Sequence, residues 1–131
     1  MMTDLLFVYG TLMSHTGTPK AQQLMAEADS LGPATIAGRL YRIDWYPGLV
    51  EGTGTVHGEV VRLRNSAASL VWLDAYEGIV PGDDRENRNE YARVRRPVTL
   101  ADGRTLEAWV YLYIRDVGAS TPVADGRWPG K

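Results

Sequence analysis

Leu5-Leu6-Phe7-Val8-Tyr9-Gly10-Thr11-Leu12 carries an apolar run into a glycine followed by a small hydroxyl residue. Four consecutive apolar residues closed by a glycine read as a buried strand that breaks into a loop. Without a Cβ the chain turns tightly there and its main-chain N–H groups approach a ligand closely. A strand end of this type can therefore present donors to an anion or to a developing oxyanion. Glycine after a buried strand is also ordinary turn chemistry, so the stretch by itself leaves both readings open.

Around that strand, 131 residues suit one domain, expected over 1–131, and folding at this size buries somewhat over ~60% of the unfolded chain's surface. A hydrophobic fraction of 44% and a charged fraction of 23% match an ordinary soluble protein. The net charge of -2 gives no general attraction to nucleic acid or anionic membranes. Arg93, Arg95 and Arg96 form a local basic group, expected mostly as a solvated strand face. With no cysteine, disulfides and thiolate catalysis are excluded, and His15 and His57 alone argue against a soft-ligand zinc site, so no metal is expected. Met-Met-Thr-Asp lacks a basic n-region and the apolar run behind it is too short for a signal peptide or a membrane span, which makes a cytoplasmic location the expectation.

Onward from the loop, Thr18-Pro19 looks like an N-cap followed by proline at the first helical position. Ala21, Leu24, Met25 and Ala28 recur at helical spacing, and Leu31-Gly32-Pro33 is expected to end the helix. Ala34 to Ile43 suggests a strand, with Gly38 marking a bulge or a close contact. Tyr46-Pro47-Gly48 has the residues of a type II turn. Gly52-Thr53-Gly54 followed by Gly58 is no dinucleotide fingerprint: the third glycine comes one place late, and Val56 to Leu63 alternates like a strand.

Asn65 is a plausible N-cap for a helix from Ser66 to about Tyr76. Leu70, Leu73 and Glu77 share one of its faces, which puts Glu77 on the buried side at the helix end, with Gly78 as the residue that turns the chain away. Ile79 to Glu90 is dominated by charged and turn residues and reads as an exposed loop. Tyr91 to Leu100 and Thr105 to Ile114, joined through Asp102-Gly103, read as an antiparallel hairpin. Val117, Val123 and Trp128 should anchor the tail over the core, and no internal repeat or linker marks a second domain.

Among residues able to carry chemistry, Glu77 ranks first. A carboxylate on an apolar helix face must be hydrogen-bonded, protonated or functional, unless it reaches water past Gly78. Tyr91 and Arg93 point to one side of their strand, where Arg93 can hold a carboxylate with its fork of donors and Tyr91 can add a hydroxyl; cross-strand packing with a charged rim is the alternative. His57 and Glu59 mimic the H-x-E of zinc deaminases, but the cysteines those enzymes need are missing, so a satisfied structural pair is expected. Ser14 beside His15 lacks a Gly-x-Ser-x-Gly elbow. Tyr9, Tyr41, Tyr111, Tyr113 and Trp109 suit the core or the walls of a pocket near Tyr9.

Taken in order, Tyr9-Gly10-Thr11-Leu12, Tyr46-Pro47-Gly48-Leu49, Gly58-Glu59-Val60, Leu73-Asp74-Ala75-Tyr76-Glu77-Gly78, Tyr91-Ala92-Arg93 and Ala108-Trp109-Val110-Tyr111 resemble the γ-glutamylcyclotransferase-like (AIG2-like) family, from about Leu5 to Trp128. With the strand and helix pattern, the expected fold is α+β: a curved, mostly antiparallel sheet or partial barrel with two main helices. The resemblance implies an enzyme that cyclises a small-molecule γ-glutamyl substrate to 5-oxoproline and releases an amine or amino acid, with no cofactor. It aligns Glu77 with the family's catalytic glutamate and gives Tyr9, Gly10, Thr11 and Leu12 to substrate binding, joined by Tyr91 and Arg93. The Ile79 to Glu90 loop is longer than in the shortest family members and is expected to act as a lid that selects the leaving group. The rival reading is a non-catalytic binder of a small carboxylate or amine on the same scaffold, favoured if Glu77 were paired to an arginine. A nucleic-acid module built on Arg88, Arg93, Arg95 and Arg96 lacks excess charge and an exposed aromatic platform.

Overall fold

The structure, a computed structural model, describes residues 3–79 and 90–128. In chain order the elements are β1 (Leu5–Val8), a 3₁₀ turn (Ser14–Thr16), α1 (Pro19–Glu27), β2 (Ala28–Arg42), β3 (Pro47–Leu63), α2 (Ser66–Tyr76), β4 (Tyr91–Leu100), β5 (Thr105–Tyr113) and β6 (Thr121–Pro122). The strands run in the order β3-β1-β5-β4-β2, and a further pairing of β2 with β3 closes a five-stranded barrel. Pairing is antiparallel except between β1 and β5, which meet in parallel at Leu6 and Trp109. The curved sheet expected from the sequence thus closes on itself, and two helices pack with it. Among the described residues no helix is long and apolar enough to cross a membrane.

All four residues of β1 are buried, because a strand between two neighbours in a closed barrel has no solvent edge. Leu6 and Phe7 join Val56, Val60, Val61 and Val110 in the fully buried core. Each such side chain contributes about 1.5–3 kcal/mol by leaving water. Trp128 is buried in the same core, as the tail's composition suggests.

Local sequence explains both helices. The Thr18 side chain accepts the Ala21 N–H ahead of Pro19, and the Asn65 side chain accepts the Ala68 N–H. Gly78 follows α2 with φ +79, a left-handed conformation that turns the chain away just after Glu77. The helices are joined through Glu27, whose carboxylate accepts the Ser69 hydroxyl at 2.6 Å and the Trp72 indole N–H at 2.8 Å.

Three boundaries depart from the sequence reading. α1 stops at Glu27, and Ala28 to Pro33 begin β2, with a register shift between Ser30 and Gly32. The helix needs no glycine cap, because the Arg64 guanidinium donates to the Ala26 and Ala28 carbonyls and the Arg64 N–H donates to that of Glu27. The chain reverses over Ile43 to Tyr46, where two N–H groups donate to the Tyr46 carbonyl, so Pro47 and Gly48 already belong to β3 and form no type II turn. Gly48 is required for close approach instead: a Cβ there would sit 2.8 Å from the Tyr113 side chain. Gly52 to Thr55 likewise continues β3. The loop expected from Ile79 to Glu90 lies outside the described residues except at its two ends.

Candidate active site

The end of β1, the end of α2 and the β2–β3 reversal meet around a cavity of about 240 Å³. That is below the ~300–1,000 Å³ of clefts for drug-sized ligands and suits a compound of amino-acid size. Its walls include Tyr9, Gly10, Thr11 and Leu12 from the first loop, Glu77 after α2, Tyr91 on β4 and Tyr111 on β5. Glu77 and the glycine loop, distant in the chain, are therefore brought together. One direct link holds them: the Thr11 and Tyr76 hydroxyls are 2.8 Å apart, across 65 positions.

The loop offers unused donors. Among the described residues, the main-chain N–H groups of Gly10, Thr11 and Leu12 have no acceptor, although Gly10 and Leu12 are buried. Buried N–H groups are rarely left so, and donors of this kind on a cavity wall are available to a carboxylate or an oxyanion. The loop's shape is fixed from behind, where the Thr16 and Thr18 hydroxyls both donate to the Thr11 carbonyl and Met13 N–H donates to Gly10.

Glu77 has the opposite character. Its main-chain N–H closes the last turn of α2 onto Leu73, while burial, followed by the charges of Glu90 and Asp74, pushes its carboxyl up to about 7. Among the described residues no cation pairs with it. A carboxyl tuned to neutrality can take and return a proton in one cycle.

Tyr9 and Tyr91 line the cavity with their rings, but their hydroxyls are committed: Tyr9 donates to the Tyr111 carbonyl at 2.6 Å and Tyr91 to the Pro47 carbonyl at 2.6 Å. Both are braces between strands, and burial raises both phenols, which keeps them as donors. Arg93 does not line the cavity. Its Nε donates to Asp74 at 2.8 Å, its guanidinium lies 4.4 Å from the Trp109 ring, and the Tyr111 hydroxyl donates to the same Asp74 oxygen at 2.7 Å. Arg93 thus stands behind the wall, holding Asp74 and through it Tyr111, rather than on a solvated face. Arg96 does follow the solvated expectation, paired to Glu51 at the surface. His57 and Glu59 do not pair with each other: Glu59 is satisfied by the Ser14 N–H and hydroxyl and the Ser30 hydroxyl.

Sequence reasoning missed Glu90, Tyr46 and Trp45, which line the cavity, and Asp74 behind it. Glu90 sits in a charged run that reads as loop, and the one signal for it is its place directly before the first strand residue, Tyr91.

The profile of the family described as gamma-glutamyl cyclotransferase, AIG2-like, matches residues 6–130. A gamma-glutamylcyclotransferase family protein, ytfP, of Citrobacter rodentium is 38% identical over 124 residues, covering 94% of this chain and 93% of the relative. The solution structure of ytfP from Escherichia coli superposes with a TM-score of 0.66 at 36% identity, over 95% of this chain and 96% of that one. An AIG2-like protein from mouse shares the fold, with a TM-score of 0.67 at 21% identity over 91% of this chain and 82% of its own. A barrel with the glycine loop and Glu77 at one cavity, matched along nearly its whole length, belongs to the gamma-glutamyl cyclotransferase, AIG2-like family.

Proposed function

We propose that the protein cyclises a γ-glutamyl compound: the free α-amine attacks its own γ-amide carbonyl, 5-oxoproline forms and an amine or amino acid leaves. The observation that carries this reading is the desolvated Glu77 in one small cavity with three N–H groups that have no acceptor among the described residues. The bond formed joins the α-nitrogen to the γ-carbonyl carbon, and the bond broken is that carbon to the leaving nitrogen. Overall the attacking nitrogen loses two protons and the leaving nitrogen gains two.

Glu77 takes the first proton from the ammonium. Against an α-amine near 8, an ordinary glutamate near 4.3 would make that transfer cost about 5 kcal/mol. A carboxyl at about 7 reduces it to roughly 1.4 kcal/mol. The protonated Glu77 then donates to the leaving nitrogen as the tetrahedral intermediate collapses, while N–H groups of Gly10 to Leu12 hold the oxyanion. Folding the substrate into the ring-closing geometry supplies much of the remaining acceleration. The binder reading loses support because the nearby arginine, Arg93, is engaged by Asp74.

The test is a panel of γ-glutamyl amino acids and amines incubated with the protein and with Glu77→Gln, read by mass spectrometry for 5-oxoproline. Release by wild type and its loss in the variant is the expected result. Release that persists within tenfold in Glu77→Gln removes Glu77 from the role of base.

A further inference from the structure

Glu90 lies at the same cavity as Glu77, and its placement is built rather than incidental. Its carbonyl accepts the Ile114 N–H at 2.8 Å, tying it to the end of β5, and its carboxylate accepts the Tyr46 hydroxyl at 2.5 Å. Tyr46 is itself set by Trp45, edge-on at 5.1 Å, and by Tyr91, with ring centroids 6.3 Å apart. Burial and the neighbouring Glu90 charge push the Tyr46 phenol up, so it stays a donor to that carboxylate.

The lining therefore carries two carboxylates and the rings of five tyrosines and one tryptophan, and among the described residues that form it there is no lysine, arginine or histidine. Two acids in one small space repel each other, and a positively charged nitrogen between them relieves that repulsion while the ring faces add cation–π attraction. One acid is insufficient for an ammonium that must give up a proton: once Glu77 has taken it, acid and amine are both neutral and the ion pair that held the nitrogen is gone, whereas a second carboxylate can still accept an amine N–H. A second, fixed carboxylate keeps the nitrogen in place through the transfer.

We propose that Glu90, fixed by the Tyr46 hydroxyl, is a specificity-determining residue that holds the substrate's α-ammonium opposite Glu77, so that the cavity accepts amine-bearing compounds and rejects their des-amino counterparts. The proposal rests on the γ-glutamyl reading above. It is tested by calorimetry in a Glu77→Gln host, which does not consume ligand, with two probes: L-γ-glutamyl methylamide and glutaric acid monomethylamide, which lacks the α-amine.

The host should prefer the amine-bearing probe by tenfold or more. Adding Glu90→Gln should cut that preference at least fivefold, Glu90→Asp should restore part of it, and Tyr46→Phe should lose less than Glu90→Gln. An unchanged preference in Glu90→Gln, or an equal loss for both probes, overturns the role given to Glu90 and leaves the γ-glutamyl reading intact. If neither probe binds the host or the wild type, the γ-glutamyl reading falls and this one with it. Should Glu90→Gln fail to fold, the Glu90→Asp and Tyr46→Phe comparisons decide by the same ratio.

Discussion

Glu27 is the last residue of α1 and Glu77 caps α2, so a glutamate marks the end of each helix, yet the two carboxylates meet opposite surroundings. Glu27 receives the Ser69 hydroxyl and the Trp72 indole N–H, and those bonds hold its carboxyl below the usual range. Glu77 is withdrawn from water among like charges, with no side-chain donor among the described residues, and its carboxyl rises to about 7. Hydrogen bonds to the charged form make one glutamate a structural clip; desolvation without them gives the other the carboxyl that the proposed reaction needs as a proton carrier. Among the described residues, one acid is surrounded by side-chain donors and the other has none.

The sharpest way to break this contrast is to neutralise each acid in turn. Glu77→Gln should lower kcat by about 10²–10⁴, or about 3–5 kcal/mol, while Glu27→Gln should leave kcat within threefold, both read as the rate of 5-oxoproline release. Equal losses in the two variants would erase the distinction.

A smaller effect concerns stability against pH. The folded carboxyl of Glu77 binds its proton up to about 7, above the ordinary 4.5, so between those values the native state holds more proton than the unfolded one. Stability must therefore fall as pH rises through that window, by roughly 2–3 kcal/mol, and Glu77→Gln should remove the slope in urea titrations run from pH 4 to 8. For Glu27 the sign reverses: its lowered carboxyl contributes stability above the ordinary range, and that contribution is lost as pH falls through the folded value.

Smaller again is the effect of a single clip donor. Ser69 is 1% exposed, and Ser69→Ala should cost about 1–2 kcal/mol of unfolding free energy near neutral pH, with the loss shrinking in acid as Glu27 takes a proton. A loss that does not depend on pH would mean that Ser69 acts by packing alone.

The parts of this molecule that were legible in the sequence are those governed by neighbours in the chain. The 3.6-residue spacing of Leu70, Leu73 and Glu77, capped by Asn65 and Gly78, put Glu77 on the inner face of α2, and Asp102-Gly103 announced the β4–β5 hairpin. What could not be read depends on partners far away. α1 ends where it does because Arg64 meets its last carbonyls, and Gly48 serves the approach of Tyr113 rather than a turn. At the cavity, the two tyrosine hydroxyls expected near the ligand turn to backbone carbonyls of other strands, and Arg93 is drawn away by Asp74. Glu90 looked like solvent-facing charge because its hydroxyl partner is 44 positions upstream.

The parallel meeting of β1 and β5 sets an order of events for the ribosome. Leu5–Val8 emerges first, and β3 can cover one of its edges early, but the other edge waits for a strand whose contact with the same loop, from the Tyr9 hydroxyl to the Tyr111 carbonyl, spans 102 positions. Contacts so remote are slow to form, and an apolar strand with an open edge invites pairing with other chains in the interval. The nascent protein thus carries an open apolar edge beside the place where its cavity will form, and protection arrives only when synthesis has passed β5.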